Sequence, residues 1–303
     1  MTRLTRLLIA AALAPMTLGL PTTASAQPTA PVAAAASAEE RLPHISVVTM
    51  GDEGSPVFLI PGLASPRAVW DGIAPKLAET HRVYLVQVNG FGGDDVGANR
   101  DAGLFDGITA DLDGYIRAHN IKDPAIIGHS IGGLLAMMMG TRYPGETGRV
   151  MVVDALPFFS LLLGDGITAE SARPFAEQAR ARVIATPQPT EPVTSDPGGI
   201  WSITPAGRIQ VANWAAKAES HVAGQAMYEA MTTDWRPELA KLKGKPFTVL
   251  YATGAGPRAT TLWEAGYAGS SAKLVPIADS WHFIMLDQPK AFEEAVTTFL
   301  AQP

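Results

Sequence analysis

Apolar stretches bounded by turn-forming residues recur along this chain. They read HISVVTM (44–50), PVFLIPG (56–62), RVYLVQVNG (82–90), PAIIGHS (124–130), GRVMVVDAL (148–156), PFTVLYATG (246–254) and AKLVPIAD (272–279). Several carry no polar alternation, the pattern of strands covered on both faces in a parallel sheet. Segments of helical period lie between them. In LFDGITADLDGYIRAHN (104–120), Leu104, Phe105, Ile108, Leu112, Tyr115 and Ile116 fall near one stripe, and PKAFEEAVTTFLAQ (289–302) reads as an amphipathic helix opened by Pro289. Strands alternating with helices predict an α/β fold: a doubly wound, mostly parallel sheet whose right-handed crossovers place helices on both faces. Residues 157–240 break the rhythm. They show no clear strand, are rich in Ala, Pro, Glu and Arg, and hold Trp201, Trp214 and Trp235. The expectation is a mainly helical cap inserted between core segments 41–156 and 241–303, because an unstructured connection of that length is uncommon in a compact domain.

The start of the chain differs from the rest. Arg3 and Arg6 precede a short apolar run, and Ala24-Ser25-Ala26 supplies the small residues a signal peptidase needs. Residues 1–26 therefore read as a secretory signal peptide cut after Ala26, too short and too interrupted by Thr and Pro for a stable membrane anchor. Export to a periplasm or the medium is expected. Residues 27–40, QPTAPVAAAASAEE, read as a disordered, low-complexity leader.

Composition narrows the chemistry. With 303 residues, 47% hydrophobic, the chain supports one substantial core. There are no cysteines, which removes disulfides, thiolate nucleophiles and Cys-ligated metals. The formal charge is −6; without residues 1–26, 21 basic and 29 acidic side chains leave −8. Such a balance gives no electrostatic case for nucleic acid or an anionic membrane as partner. NGFGGDD (89–95) is glycine-rich but lacks the Lys and Ser/Thr of a phosphate loop, and Asp94-Asp95 has no further ligand nearby in sequence for a metal.

The stretch AIIGHSIGGLLAMMMG (125–140) sets Ser130 between a strand candidate and a helix candidate. Gly128, Gly132 and Gly133 permit a turn tight enough to lift the hydroxyl above the sheet. The amide of Ile131 is then left at a helix start, free to donate to a developing oxyanion. In this setting Gly128-His129-Ser130-Ile131-Gly132-Gly133 resembles the nucleophile elbow of the α/β-hydrolase superfamily, in its exported bacterial, serine esterase or lipase-like form. The similarity extends over nearly all of the chain beyond the leader. It takes in LIPGLASPRAVWDGIAPKL (59–77), VNGFGGDD (88–95) and SWHFIMLDQPKAFEEAVTTFL (280–300).

A serine hydroxyl needs a base. Of the histidines at 44, 81, 119, 129, 221 and 282, His282 follows the last strand candidate and precedes the last helix, where hydrolases of this kind carry theirs. His129 is adjacent to Ser130 in sequence, but side chains diverge on such an elbow, so a structural role is expected of it. Many members place the acid after the penultimate strand. Here that region reads VLYATGAGPRATTLW, with no Asp or Glu before Glu264. Some members use an acid one strand earlier, which selects Asp154 and keeps the order Ser, Asp, His. Asp279, three residues before His282, is the alternative.

Pro61-Gly62-Leu63 occupies the place of the family's second oxyanion donor, which would be the Leu63 amide. An ordinary Pro-Gly turn is the other reading. Phe158, Phe159 and Trp281 are candidate walls of an apolar substrate cleft, and Met137 to Met139 are candidate helix core. The resemblance implies hydrolysis of small to medium, largely apolar carboxylic esters through an acyl-enzyme, a chemistry that needs no metal or cofactor. An amidase, aminopeptidase or lactonase would use the same residues, and a ligand-binding protein on this scaffold is the reading from another class.

Overall fold

The protein is described by a computed structural model over residues 38–302. Residues 1–37, which hold the expected signal peptide and most of the expected leader, lie outside the described residues. Eight strands form one sheet: β1 (Glu40–Arg41), β2 (Ile45–Met50), β3 (Ser55–Ile60), β4 (His81–Val88), β5 (Ala125–His129), β6 (Arg149–Val153), β7 (Phe247–Ala252) and β8 (Lys273–Ile277). Their spatial order is β1-β2-β4-β3-β5-β6-β7-β8. β2 runs antiparallel to β1 and β4, and every pair from β4 to β8 is parallel. The helices are α1 (Ala74–Leu77), α2 (Leu104–Ala118), α3 (Ile131–Arg142), α4 (Ala169–Ala185), α5 (Pro205–Ala215), α6 (Ser220–Thr232), α7 (Pro257–Gly266), α8 (Ile284–Asp287) and α9 (Pro289–Leu300).

Two apolar layers explain the uninterrupted strands. Phe58, Ile60, Tyr84, Val86, Ile126, Val150 and Val152 face α2, α3 and α6. Their alternates Val57, Leu59, Val83, Leu85, Ile127, Met151 and Val153 face α1 and α9, where Trp70, Phe292, Val296 and Phe299 close the layer. Successive side chains point to opposite faces, so a strand sandwiched between helices is apolar at every position. Met137, Met138 and Met139 are core, at most 1% exposed.

β1 falls in part on the expected leader. Composition hides this strand because polar contacts hold its neighbourhood: Glu39 Oε1 accepts from Ser46 Oγ at 2.6 Å and Arg67 Nη2 at 2.6 Å, and Arg41 reaches Asp94 at 2.9 Å. Within 157–240 no strand occurs, and three helices and two 3-10 turns (Phe159–Leu163, Arg236–Leu242) fill most of it. α4 and α6 lie close because small residues meet between them. A Cβ on Gly224 would sit 2.9 Å from Ile184 Cγ1, and Ala172, Ala176 and Ala226 are fully buried. Val222 and Ala226 of α6 also join the layer under α2 and α3, so the insertion is rooted in the core.

Candidate active site

β3, β5, β6 and β8 all deliver a candidate residue just beyond their C-terminal ends, the edge at which open α/β sheets bind ligands. Between β5 and α3, Ser130 takes φ 55° and ψ −125°, a conformation that non-glycine residues avoid. Its amide donates to Val153 O at 2.9 Å, and its carbonyl accepts from Gly133 N at 2.8 Å. The glycines are there for want of space. A Cβ on Gly128 would lie 1.9 Å from Gly132 O, and one on Gly132 would lie 2.4 Å from Ile60 O. Backbone cannot yield as a side chain does, so Gly128→Ala is expected to destabilise the fold by about 3 kcal/mol or more. Gly114→Ala, at an exposed position of α2 with open space around it, should instead stabilise by about 0.5–1 kcal/mol. Urea denaturation midpoints measure both.

The loop after β3 passes directly against the elbow. A Cβ on Gly62 would stand 2.8 Å from His129 Nδ1 and 3.0 Å from Ser130 Cβ. Leu63 follows, and Ala64 turns the chain with φ 54°. Among the described residues, neither the Leu63 nor the Ile131 amide donates to a protein acceptor.

The structure brings Asp154 and His282 together: Asp154 Oδ2 accepts from His282 Nδ1 at 2.7 Å. Asp154 Oδ1 accepts from Ala252 N at 2.8 Å. The end of β7 thus supplies a backbone donor that orients the carboxylate following β6. A neutral imidazole whose Nδ1–H is committed to a carboxylate has its lone pair on Nε2. Asp279 is exposed, and its carbonyl rather than its carboxylate is engaged, by Gln288 Nε2 at 2.7 Å. Ser130 is 6% exposed, and among the described residues no hydrogen bond joins its Oγ to His282; apo sites often close that contact only with substrate bound. Beneath Asp154, the Tyr267 hydroxyl donates to Ala155 O at 2.6 Å, and burial, then the charge of Asp154, push its pKa well up.

The remaining histidines separate cleanly. His44 contacts Asp111, His81 Thr80, His119 Glu40 and His221 Glu219. His129 is fully buried, and its Nε2–H donates to the His282 carbonyl at 2.9 Å; the two rings are 4.6 Å apart. Desolvation, then the neighbouring His282, push its pKa well below the usual histidine range. The unfolded chain therefore takes up a proton near pH 6.5 that the native state refuses. Stability attached to His129 is present above that pH and lost as pH falls through the depressed folded value. His129→Gln, which keeps a donor, should flatten the decline of unfolding free energy between about pH 6.5 and 5, read from urea titrations at each pH.

Three substrate-wall expectations fare differently. Phe158 has no exposed surface, because it leaves β6 inside the core with the Arg236 guanidinium 5.0 Å over its ring. It presents nothing to a substrate in this conformation. Phe159 is half-buried against the α2/α3 layer. Trp281 is half-buried against the loop after β7, where a Cβ on Gly254 would stand 2.7 Å from its Cδ2.

Sequence reasoning missed two features. Trp201, in an irregular stretch of the insertion, places its ring 5.6 Å from that of His282. Its carbonyl accepts from Phe283 N at 2.9 Å. Asp287 fastens the same stretch, accepting from Ser202 Oγ at 2.5 Å, Ile203 N at 3.1 Å and Trp281 N at 2.8 Å. No local periodicity marks either. Among the described residues no group of three or more His, Asp or Glu is placed to hold a metal, and no helix is long and apolar enough to cross a membrane.

Residues 57–295 match the sequence model of the Alpha/beta hydrolase family, and the chain belongs to that family. It is 30% identical over 129 residues to a pimeloyl-[acyl-carrier protein] methyl ester esterase of Aliivibrio salmonicida, covering 42% of this chain and 47% of that protein. It is 28% identical over 104 residues to an N-formylmaleamate deformylase of Pseudomonas putida, covering 34% and 38%. The chain thus spans less than half the length of either relative. The fold is shared more widely. A thermophilic esterase from Thermogutta terrifontis superposes with TM-score 0.69 at 19% identity, over 87% of this chain and 98% of that one. An enol-lactonase from Burkholderia xenovorans gives 0.65 at 19% identity, over 85% and 96%. The chain is a member of a hydrolase family.

Proposed function

We propose that this protein hydrolyses carboxylic esters of small to medium, largely apolar substrates through an acyl-enzyme, with Ser130 as nucleophile, His282 as base and Asp154 as acid. The observation that carries the reading is the Asp154–His282 hydrogen bond at the sheet edge where the strained Ser130 elbow also ends. Ser130 Oγ attacks the acyl carbon as its proton passes to His282 Nε2. The amides of Leu63 and Ile131 hold the oxyanion, a contribution of several kcal/mol when both donors are aligned in a dry site. Collapse breaks the ester C–O bond, and the leaving oxygen takes the proton from His282. Water then gives a proton to Nε2 as its oxygen attacks the acyl carbon; the second collapse breaks the bond to Oγ, which takes that proton back from Nε2, releasing the carboxylic acid product and restoring Ser130 and His282. Asp154 stays ionised throughout and balances the imidazolium.

Esterases among the relatives and structural neighbours support this reading. From Arg3, Arg6 and the Ala24-Ser25-Ala26 site, the enzyme acts outside the cytoplasm. The test is a p-nitrophenyl ester series of graded acyl length, together with a fluorophosphonate probe. Turnover that saturates, and a phosphonyl adduct located on the Ser130 peptide by mass spectrometry, are the expected results. An unlabelled Ser130 in a protein that hydrolyses the esters overturns the assignment.

A further inference from the structure

Three aromatic rings touch the His282 imidazole: His129 at 4.6 Å, Phe283 at 5.4 Å and Trp201 at 5.6 Å between centroids. His129 and Phe283 are buried, 0% and 3% exposed, and are closed to a ligand. Trp201 is 39% exposed and is flanked by Ile200 and Ile203, themselves 52% and 40% exposed. The segment is fixed in place. Asp287 binds Ser202 and Ile203, the Trp201 carbonyl binds the amide next to His282, and Arg208 reaches Ser202 O at 2.8 Å while pairing with Asp196. Such anchoring holds the Trp201 ring ready beside the His282 imidazole without an ordering cost on binding.

We infer that Trp201, with Ile200 and Ile203, forms the subsite for the alcohol portion of the substrate, and that this subsite favours aromatic or bulky apolar alcohols over short alkyl ones. The inference rests on the proposed ester hydrolysis. In that reaction the alcohol oxygen receives its proton from His282 Nε2, so the alcohol must lie against the imidazole when the C–O bond breaks. Of the rings around that imidazole, Trp201 has the open face. An aryl group placed there gains both apolar burial and ring contact, whereas an ethyl group reaches little of it. Trp201 is a specificity-determining residue in this scheme and takes no part in proton transfer.

The test uses butyrate esters that share one acyl group and differ in an alcohol of near-equal acidity, benzyl against ethyl, so intrinsic leaving ability does not decide the ratio. Trp201→Ala is expected to lower the benzyl-to-ethyl ratio of kcat/KM about tenfold, and Trp201→Phe to keep it within about threefold of the starting value. A ratio unchanged in Trp201→Ala overturns the subsite. A measurement on the unaltered protein guards against a variant that fails to fold. Benzyl alcohol should inhibit competitively at concentrations well below those of 1-propanol, and equal inhibition by the two also overturns it. Turnover of neither ester, or turnover that survives Ser130→Ala, overturns the proposed ester hydrolysis through Ser130 instead.

Discussion

Ser130→Ala is expected to lower kcat/KM for a p-nitrophenyl ester by about 10⁴-fold or more. The substitution removes the proposed nucleophile and leaves everything else. Ser130 Oγ makes no hydrogen bond within the described residues, so no buried partner is orphaned. The backbone bonds that hold the elbow, from its amide to Val153 O and from Gly133 N to its carbonyl, do not involve the side chain. Unfolding free energy should therefore move by less than about 1 kcal/mol. That pairing of a large kinetic loss with a small change in stability distinguishes chemistry from misfolding. Steady-state rates and urea melts on the same preparation read both. A variant that keeps more than a tenth of the starting rate removes Ser130 from the mechanism.

Asp154→Asn comes next in size, with turnover down by about 10³- to 10⁴-fold. Ala252 N explains why an isosteric change should cost so much. That amide is a donor aimed at Oδ1, and in the variant it retains the one oxygen the Asn side chain has. The Asn amino group is then turned toward His282 Nδ1. Two donors cannot face each other, so the imidazole gives up its Nδ1 proton and carries one on Nε2 instead. The nitrogen that must accept from Ser130 becomes a donor. Asp279→Asn touches none of this, because its carboxylate is exposed and unengaged with the base. Its turnover should stay within about twofold of the parent. Comparing kcat/KM of the two variants at pH 7 settles which carboxylate serves; the reverse ranking would refute Asp154.

Much of this was legible in the chain itself. Ser130 stood out because an apolar strand, a cluster of glycines and a helix fall within sixteen residues, and local spacing reports local geometry. Asp154 emerged from the lack of any acid in 253–263 together with an Asp closing the preceding strand. What escaped was non-local. The bond from His129 to the His282 carbonyl joins residues 153 apart, and Trp201 comes beside the base only after the insertion has folded back. β1 was hidden because low-complexity composition precedes it and ion pairs tether its surroundings. Phe158 misled for a related reason: an aromatic after an acid-bearing strand fits a cleft wall as well as a core residue, and only Arg236, seventy-odd positions on, shows which it is.

The bond from the Ser130 amide to Val153 O has a consequence for how such an enzyme ages and diversifies. It welds the proposed attacking group and acid into one stiff girder of two adjoining strands, while the imidazole rides on a bracket bolted down by Asp287, the Trp201 carbonyl and the His129 ring. Heat that loosens the bracket would disarm the enzyme while the girder still holds. Lineages could likewise reshape substrate choice by altering the bracket alone.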